Sequence, residues 1–237
     1  MAKETDKGVA KDGRGKVVKA AKVPGQPPRL PAGRHGLPRE FIVQNQRERI
    51  TTALVDTVAE IGYSATTVAR ITKAASVSRR TFYQHFDDKE SCFLATYEMV
   101  ADHVLASMRA AADSYGEWPD KVRAALAAIL SFFAAEPALA NLYMIEPNVA
   151  GGQVAARHQT RLRGFTTILK ECHPPPEGNR PLPAATEETL IGGVVSLIVR
   201  EISAGRSEQL DALLPDLVEL ITAPYLGAEA AHLARKS

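Results

Sequence analysis

TTVARITKAASVSRRTFYQHFDDKE, residues 66–90, is the stretch that determines the expected fold of the N-terminal part of the chain. It predicts a short helix, a tight turn, a second short helix and the start of a third. The second short helix places two apolar side chains, Phe82 and Phe86, beneath a face of polar and basic side chains. One face packed in a small core and the other suited to bases and phosphates is typical of a DNA-reading helix-turn-helix.

Local backbone signals predict the same layout. Gly62 follows the last apolar residue of the preceding helix, where a left-handed C-cap is expected. Thr66 is the expected N-cap of the next helix, and Ser78 that of the recognition helix. Asp87 and Glu90, three residues apart, predict a capping box for the helix that follows.

The stretch from about Arg47 to Tyr97 resembles the N-terminal DNA-binding domain of TetR-family transcriptional regulators. Four spaced motifs carry the resemblance: GY at 62–63, TTV at 66–68, SxxTFYxxF at 78–86 and KE at 89–90. One departure is Ser76, since the family usually has glycine in this turn. If the position needs a positive φ, serine costs on the order of 1 kcal/mol there.

The resemblance and side-chain chemistry together imply contacts with DNA phosphates. These would come from the helix start at Thr67, which offers its hydroxyl and free backbone N–H groups, and from three donors further on. Those donors are Tyr83, His85 and Lys89. Such contacts fix the register of the protein on the duplex and carry little sequence information.

Base reading is expected from four side chains of the recognition helix, namely Arg79, Arg80, Thr81 and Gln84. Arginine suits the O6/N7 edge of guanine, glutamine suits adenine, and the threonine methyl suits thymine. Which arginine reads a base and which holds a phosphate stays open. The alternative for the whole cluster is a solvated helix face.

The net charge of the 237-residue chain is only +2, but the charge is unevenly distributed. Residues 1–40 carry +6, which leaves −4 for the rest. Because residues 1–38 are rich in proline and glycine and poor in large apolar side chains, we expect a disordered basic arm. Arg34, His35 and Arg39 would reach phosphates or the minor groove, unless the arm is only a solubilising tail.

The remainder predicts an all-α protein with a second, larger helical domain. The expected divisions are a helix-turn-helix domain over 39–90, a regulatory and dimerisation domain over 91–226 and a C-terminal tail over 227–237. Helices are expected over about 38–61, 88–112, 119–135, 137–145, 153–172, 186–204 and 207–226, with a connector at 148–152. No strand pattern or internal repeat is found.

The helix over 186–204 is apolar nearly all round, so it needs burial on more than one face. Gly192 and Gly193 inside it cost roughly 1 kcal/mol each relative to alanine, which predicts close approach of another helix. In TetR-like proteins the two equivalent helices pair with those of a second subunit. The resemblance therefore implies a homodimer through 186–204 and 207–226; the alternative is that both helices close the monomer core.

The family's larger domain often encloses an effector pocket, between helices that here span about 88–204. Ligand binding there changes the spacing of the two DNA-binding domains, which is a population shift. The candidate lining residues are Trp118, Phe132, Phe133, Tyr143, Met144, His158 and Phe165. Each is also a plausible core residue. Sparse polar side chains indicate a small, largely apolar effector.

Other chemistry has little support in the sequence. The six histidines lack metal-ligand spacing, and no phosphate loop or nucleophile motif is present, so no metal, cofactor or enzyme activity is expected. Cys92 and Cys172 suggest no disulfide framework, and Cys92 is expected to be a buried, inert thiol. Without a membrane-length apolar run or an apolar leader, a cytoplasmic protein is expected.

The sequence thus predicts a transcriptional regulator, specifically a ligand-responsive repressor that binds a palindromic operator as a homodimer. Repression rather than activation rests on the family resemblance alone. The alternative is an architectural or division-control DNA-binding protein on the same scaffold, without a small-molecule effector. An enzyme with an appended DNA-binding domain is the least favoured class.

Overall fold

The computed structural model describes residues 38–176 and 181–236. The basic arm expected over 1–38, with Arg34 and His35, therefore lies almost entirely outside the described residues. Regular structure within them is helical, which confirms the all-α prediction. The α-helices are α1 (Arg39–Ala65), α2 (Val68–Ala75), α3 (Arg79–Tyr83), α4 (Lys89–Ala112), α5 (Trp118–Ala135), α6 (Pro137–Met144), α7 (Glu146–Ala150), α8 (Gly152–Cys172), α9 (Thr186–Ser203) and α10 (Leu214–Lys236).

The first three helices and the start of α4 share one core. Ile50 and Leu54 of α1, Ile71 of α2 and Phe82 of α3 are each fully buried, and Phe86 is 5% exposed. This burial holds a five-residue α3 in place, although so short a helix has little stability of its own. The predicted helix-turn-helix is therefore formed.

The chain reverses at Gly62, inside the range of α1. Gly62 has φ 75°, in the left-handed region expected of a helix C-cap. The buried Thr66 side chain donates a hydrogen bond to the Gly62 carbonyl at 2.8 Å. Because that hydroxyl is committed to the turn, the N-cap of α2 is Thr67, one residue later than predicted.

Of the other two predicted caps, that of α3 is confirmed and that of α4 lies one residue later than predicted. Ser78 caps α3 as expected, accepting the N–H of Thr81 at 2.9 Å. The capping box of α4 is formed by Asp88 and Ser91 rather than by Asp87 and Glu90. Asp88 Oδ1 accepts the N–H of Ser91 at 2.7 Å, and Ser91 Oγ accepts that of Asp88 at 3.1 Å.

Helix α5 lies at the centre of the larger domain, where it packs against α4 and α10. Its apolar face buries Leu126, Ile129, Leu130 and Phe133. Since these side chains recur at three- and four-residue spacing, one stripe of the helix faces the core.

Three segments differ from the sequence prediction. The expected connector at 148–152 is largely helical, because α7 spans Glu146–Ala150. The chain over Ser207–Leu213 forms a 3-10 helix before α10 begins. The expected tail after residue 226 is also helical, and Gly227, with φ 78°, turns the chain back within it. Arg235 of this segment pairs with Asp216 at 2.8 Å and with Glu219 at 2.9 Å.

Two further properties bear on the sequence predictions. Cys92 is fully buried, and burial raises the pKa of its thiol to about 12, which disfavours the reactive thiolate.

Among the described residues no single helix is long and apolar enough to cross a membrane; only α5 and α6 together reach that length, across a bend of 113°.

We predict that Ser76→Gly raises the free energy of unfolding. Ser76 has φ 51° and ψ 46°, the left-handed conformation that the turn requires. Relief of about 1–2 kcal/mol of left-handed strain is partly offset by the greater unfolded-state entropy of glycine, so the net gain is up to about 1 kcal/mol. Urea denaturation measures it. The control is Ala74→Gly at an exposed helical position, which should lower the free energy of unfolding by up to about 1 kcal/mol. A loss of stability in Ser76→Gly as well would contradict the strain.

Candidate DNA-binding surface and effector region

Helix α3 presents a polar face over an apolar base. Arg79, Arg80 and Gln84 are exposed, while Phe82 beneath them is fully buried. The Tyr83 ring is 56% exposed and meets the Phe82 ring edge-on, with the ring centroids 5.5 Å apart. An exposed tyrosine beside two exposed arginines offers both a hydrogen-bond donor and positive charge to a polyanion.

The structure separates the nine predicted DNA-binding residues into two groups. Six are exposed, namely Arg39, Thr67, Arg79, Arg80, Tyr83 and Gln84. Three are half-buried, namely Thr81, His85 and Lys89. Each member of the second group already has a partner within the chain.

The half-buried residues have partners that limit what they can offer DNA. Thr81 Oγ1 lies 2.8 Å from Ser78 Oγ, and His85 Nε2 lies 3.3 Å from Gln46 Oε1. Lys89 Nζ donates to the Tyr63 carbonyl at 2.8 Å and lies 3.8 Å from the centre of the Tyr63 ring. Burial lowers the pKa of Lys89.

Helix α1 supports the helix-turn-helix through side chains that the sequence analysis did not single out. The Arg49 guanidinium donates to the carbonyls of Ala75 and Ser76, the latter at 3.2 Å, and so holds the strained turn. The Arg47 guanidinium lies 4.6 Å from the centre of the Phe86 ring. Burial and, secondarily, the charge of Arg47 lower the pKa of His85. These contacts join residues far apart in sequence, so no local motif reports them.

Arg39 begins α1 and is exposed. It precedes Gln46, the partner of His85, by seven residues, which corresponds to roughly 10 Å along a helix. Arg39 is thus positioned by the same helix that contacts the recognition-helix segment.

In the larger domain, aromatic rings from α4, α5, α6 and α8 meet in a buried cluster. Tyr97 and Tyr143 stack with centroids 5.1 Å apart and an interplanar angle of 13°, and Phe133 lies 5.8 Å from Tyr143. The Tyr97 hydroxyl is 3.0 Å from His158 Nδ1. We call Tyr97, Phe133, Tyr143 and His158 the aromatic cluster. The sequence analysis did not include Tyr97 among the candidate pocket residues, because only the folded chain brings it against Tyr143.

Polar atoms of the aromatic cluster are unusually desolvated. Burial raises the pKa values of Tyr97 and Tyr143, and the neighbouring Tyr143 phenol raises the pKa of Tyr97 further. Within the described residues, the Tyr143 oxygen makes no hydrogen bond of normal geometry. A buried hydroxyl that lacks a hydrogen bond of normal geometry is unfavourable, so it is a candidate contact for a polar atom of a ligand.

Within the described residues, the seven predicted pocket residues are buried or half-buried. Phe133, Tyr143, Met144 and His158 are buried, whereas Trp118, Phe132 and Phe165 are half-buried. Trp118 packs on Tyr225, away from the cluster. A cavity of about 100 Å³ lies between α1, α4 and α6, bordered by Met99 and Leu139, and none of the seven lines it. Small-molecule sites usually enclose about 300–1,000 Å³.

Ion pairs link α4 and α8 beside the aromatic cluster. Glu98 pairs with Arg157 at 2.6 Å and with Arg161, which also contacts Asp102 at 2.8 Å. These side chains are partly exposed, so each pair contributes little to stability. They connect α8, which carries His158, to α4, which begins next to the helix-turn-helix.

Sequence comparison identifies the class of the N-terminal domain. Residues 50–96 match the family described as bacterial regulatory proteins, tetR family. The chain is also 30% identical over 119 residues to the HTH-type transcriptional activator FasR of Mycolicibacterium smegmatis, an overlap of 48% of this chain and 52% of FasR. The chain therefore spans about half the length of this curated relative.

Solved structures are similar over most of the fold. The fatty acid degradation regulator FadR from Bacillus halodurans is 19% identical, covers 73% of this chain and 96% of its own, and gives a TM-score of 0.64. FadR from Bacillus subtilis, in complex with stearoyl-CoA, is 20% identical, covers 74% and 97%, and gives 0.65. These comparisons confirm the predicted resemblance to the TetR family: the chain carries the helix-turn-helix DNA-binding domain of that family on a TetR-type helical fold.

We predict that stability falls with acidification because of His158. Burial lowers its pKa, so the folded protein disfavours the imidazolium that forms in the unfolded chain below about pH 6.5. Its contribution is fully present above that pH and is lost as pH falls toward the lowered folded value.

Urea denaturation of wild type and His158→Leu at pH 7.5 and 5.5 tests this. The variant should lose less stability between the two conditions, although some loss remains because the pKa of His85 is also lowered. Equal losses in both proteins would show that His158 is not the titrating group.

Proposed function

We propose that the protein is a ligand-responsive transcriptional regulator, specifically a repressor, that binds a palindromic operator as a homodimer. The observation that carries the proposal is the exposed face of α3, with Arg79, Arg80 and Gln84, fixed by buried Phe82 in a TetR-family DNA-binding domain. One face is committed to the core, so the other is presented in one orientation to the major groove.

The division of labour on this surface follows from exposure. Within the part of the chain that the structure describes, Arg79, Arg80 and Gln84 are exposed and make no side-chain hydrogen bond or ion pair, so they suit base edges, with the methyl of Thr81 available for thymine. Thr67 and Tyr83 are the exposed phosphate donors, and Arg39 adds charge from α1. His85 and Lys89 would contact phosphates while keeping their hydrogen bonds to Gln46 and Tyr63. These bonds orient the two side chains and limit how far they can extend toward DNA.

A homodimer through α9 and α10 is supported by uncovered small residues on α9. Gly193 packs within the chain, since a Cβ there would lie 3.5 Å from Leu220 of α10. Among the described residues, no atom lies within 4 Å of a Cβ built at Gly192, and Ser196, on the same helix face, is exposed. Two recognition helices also match a two-fold operator. Sedimentation equilibrium giving the monomer mass of 25.6 kDa at micromolar concentration would contradict the dimer.

The sign of regulation depends on where the operator lies relative to the promoter. The M. smegmatis relative is named an activator, whereas we propose repression for this chain. Selection of bound genomic fragments followed by footprinting distinguishes them: an operator overlapping the core promoter supports repression, and one upstream of it supports activation. Many dispersed sites would instead favour the architectural alternative.

We predict that Arg80→Ala weakens operator binding by about 1–3 kcal/mol, the contribution of one good base contact. Fluorescence anisotropy with the footprinted operator measures the change. The matched control is Arg109→Ala, which removes the same charge from an exposed position at the end of α4. If both variants lose affinity equally, or neither does, Arg80 does not read a base.

We further propose that the effector is an apolar molecule with a polar end group, and that it opens the aromatic cluster. The seven residues expected to line the pocket, Trp118, Phe132, Phe133, Tyr143, Met144, His158 and Phe165, give a lining that is mainly apolar and aromatic. The B. subtilis structure holds stearoyl-CoA, which makes long-chain acyl thioesters the first probes.

Tyr143→Phe tests the effector contact. Because the Tyr143 hydroxyl makes no normal hydrogen bond to the residues that the structure describes, its removal should leave stability unchanged or higher. If the hydroxyl contacts the effector, stearoyl-CoA binding in calorimetry should weaken by about 0.5–1.5 kcal/mol. Tyr115→Phe, at an exposed tyrosine, is the control. Unchanged affinity in Tyr143→Phe would remove this residue from the effector site.

A further inference from the structure

Glu146 is a buried carboxylate that joins the two domains. It is the first residue of α7 and is 6% exposed. Its Oε2 accepts the backbone N–H of Tyr63 at 3.0 Å, and its Oε1 accepts the side-chain N–H of Asn141 at 3.3 Å. A carboxylate so buried is stable only when hydrogen bonds compensate its desolvation. The contact therefore stabilises both the Glu146 carboxylate and the buried backbone N–H of Tyr63.

Tyr63 is held from the other side by α4. Lys89 Nζ donates to the Tyr63 carbonyl at 2.8 Å and lies over its ring, and Phe93 meets that ring edge-on with centroids 4.9 Å apart. The N–H, the carbonyl and the ring of one residue are thus all engaged, by Glu146 from α7 and by Lys89 and Phe93 from α4. We call this arrangement the Tyr63 clamp.

The Tyr63 clamp acts at the reversal that positions the helix-turn-helix. The Tyr63 carbonyl also accepts the N–H of Thr66 at 3.1 Å, and Thr66 donates its hydroxyl to Gly62. Helix α2 is capped at the next residue, Thr67. A displacement of Tyr63 therefore moves the start of α2, and α3 moves with it because the two share a core.

Glu146 is also tied to the aromatic cluster. It follows Tyr143 by three residues, and its other partner, Asn141, lies on the same short helix α6. A rearrangement of the Tyr143 ring therefore displaces the α6–α7 junction and the carboxylate with it. This path from Tyr143 to Tyr63 does not pass through an exposed loop, because Glu146, Tyr143 and Tyr63 are all buried.

We infer that Glu146 is the positioning residue through which the larger domain sets the position of the helix-turn-helix. With the Tyr63 clamp closed, α2 and α3 are fixed relative to α4 and α7; with Glu146 withdrawn, the N–H of Tyr63 loses its acceptor and the reversal becomes mobile. The inference rests on the proposed function for its consequence in DNA binding. The clamp itself is a property of the free protein and can be tested there.

Hydrogen exchange of the full-length protein, read on peptides that cover residues 60–67, is the first test. Glu146→Ala removes the acceptor and should speed exchange of this segment by about 10- to 100-fold, the effect of losing a hydrogen bond to a charged group. Glu146→Gln keeps an acceptor oxygen and should give an intermediate rate. Glu60→Ala, which removes an exposed carboxylate from α1, should change nothing.

Operator binding supplies the readout that a merely structural role would not change. In Glu146→Ala, stearoyl-CoA binding in the absence of DNA should be retained or become tighter, because the ligand no longer has to break the contact with Tyr63, while the ratio of operator affinities with and without stearoyl-CoA should fall toward 1. A folded Glu146→Ala protein with unaltered exchange at 60–67 overturns the inference, as does an unaltered ratio. If wild type does not respond to stearoyl-CoA, the proposed effector fails, and the exchange experiment alone decides the Tyr63 clamp.

Discussion

The reversal of the chain at Gly62 is the constraint on which the arrangement of both domains depends. With φ 75°, this residue ends the straight part of α1 in a conformation that a side chain disfavours. The turn sends α2 and α3 back across α1, where Ile71 and Phe82 complete a core begun by Ile50. Without it, the apolar faces of two short helices would have no surface to pack on, and neither helix is long enough to persist alone.

The DNA-binding domain was predictable because its determinants are local. Glycine at a helix end, serine before a short helix and an apolar pair four residues apart each specify structure within one turn of chain. The one-residue errors have a physical cause too. Thr66 and Thr67 are equally good caps by sequence, but Thr66 is buried and bonds to Gly62, which leaves the cap to Thr67.

The rest was less predictable because it depends on contacts between distant residues. Glu146 looks like an ordinary acidic residue ahead of a proline, and only the folded chain brings it to Tyr63, 83 positions away. Lys89 resembles a phosphate contact in sequence, yet its ammonium group is shared with Tyr63. The helical return after Gly227 brings Arg235 to Asp216, a contact that helical periodicity does not specify.

Under the proposed function, the closed aromatic cluster and the Tyr63 clamp together would provide a route from a small ligand to the distant DNA-binding surface. Typical allosteric coupling amounts to about 1–3 kcal/mol, and a hydrogen bond to a charged group contributes about 1.5–3 kcal/mol. The single contact between Glu146 and Tyr63 is therefore of sufficient size, without a large motion. A pocket already open would give a ligand little to change, whereas a packed cluster must rearrange around Tyr143 on binding. Because α6 is short and continues almost directly into α7, that rearrangement has few ways to relax before it reaches the carboxylate.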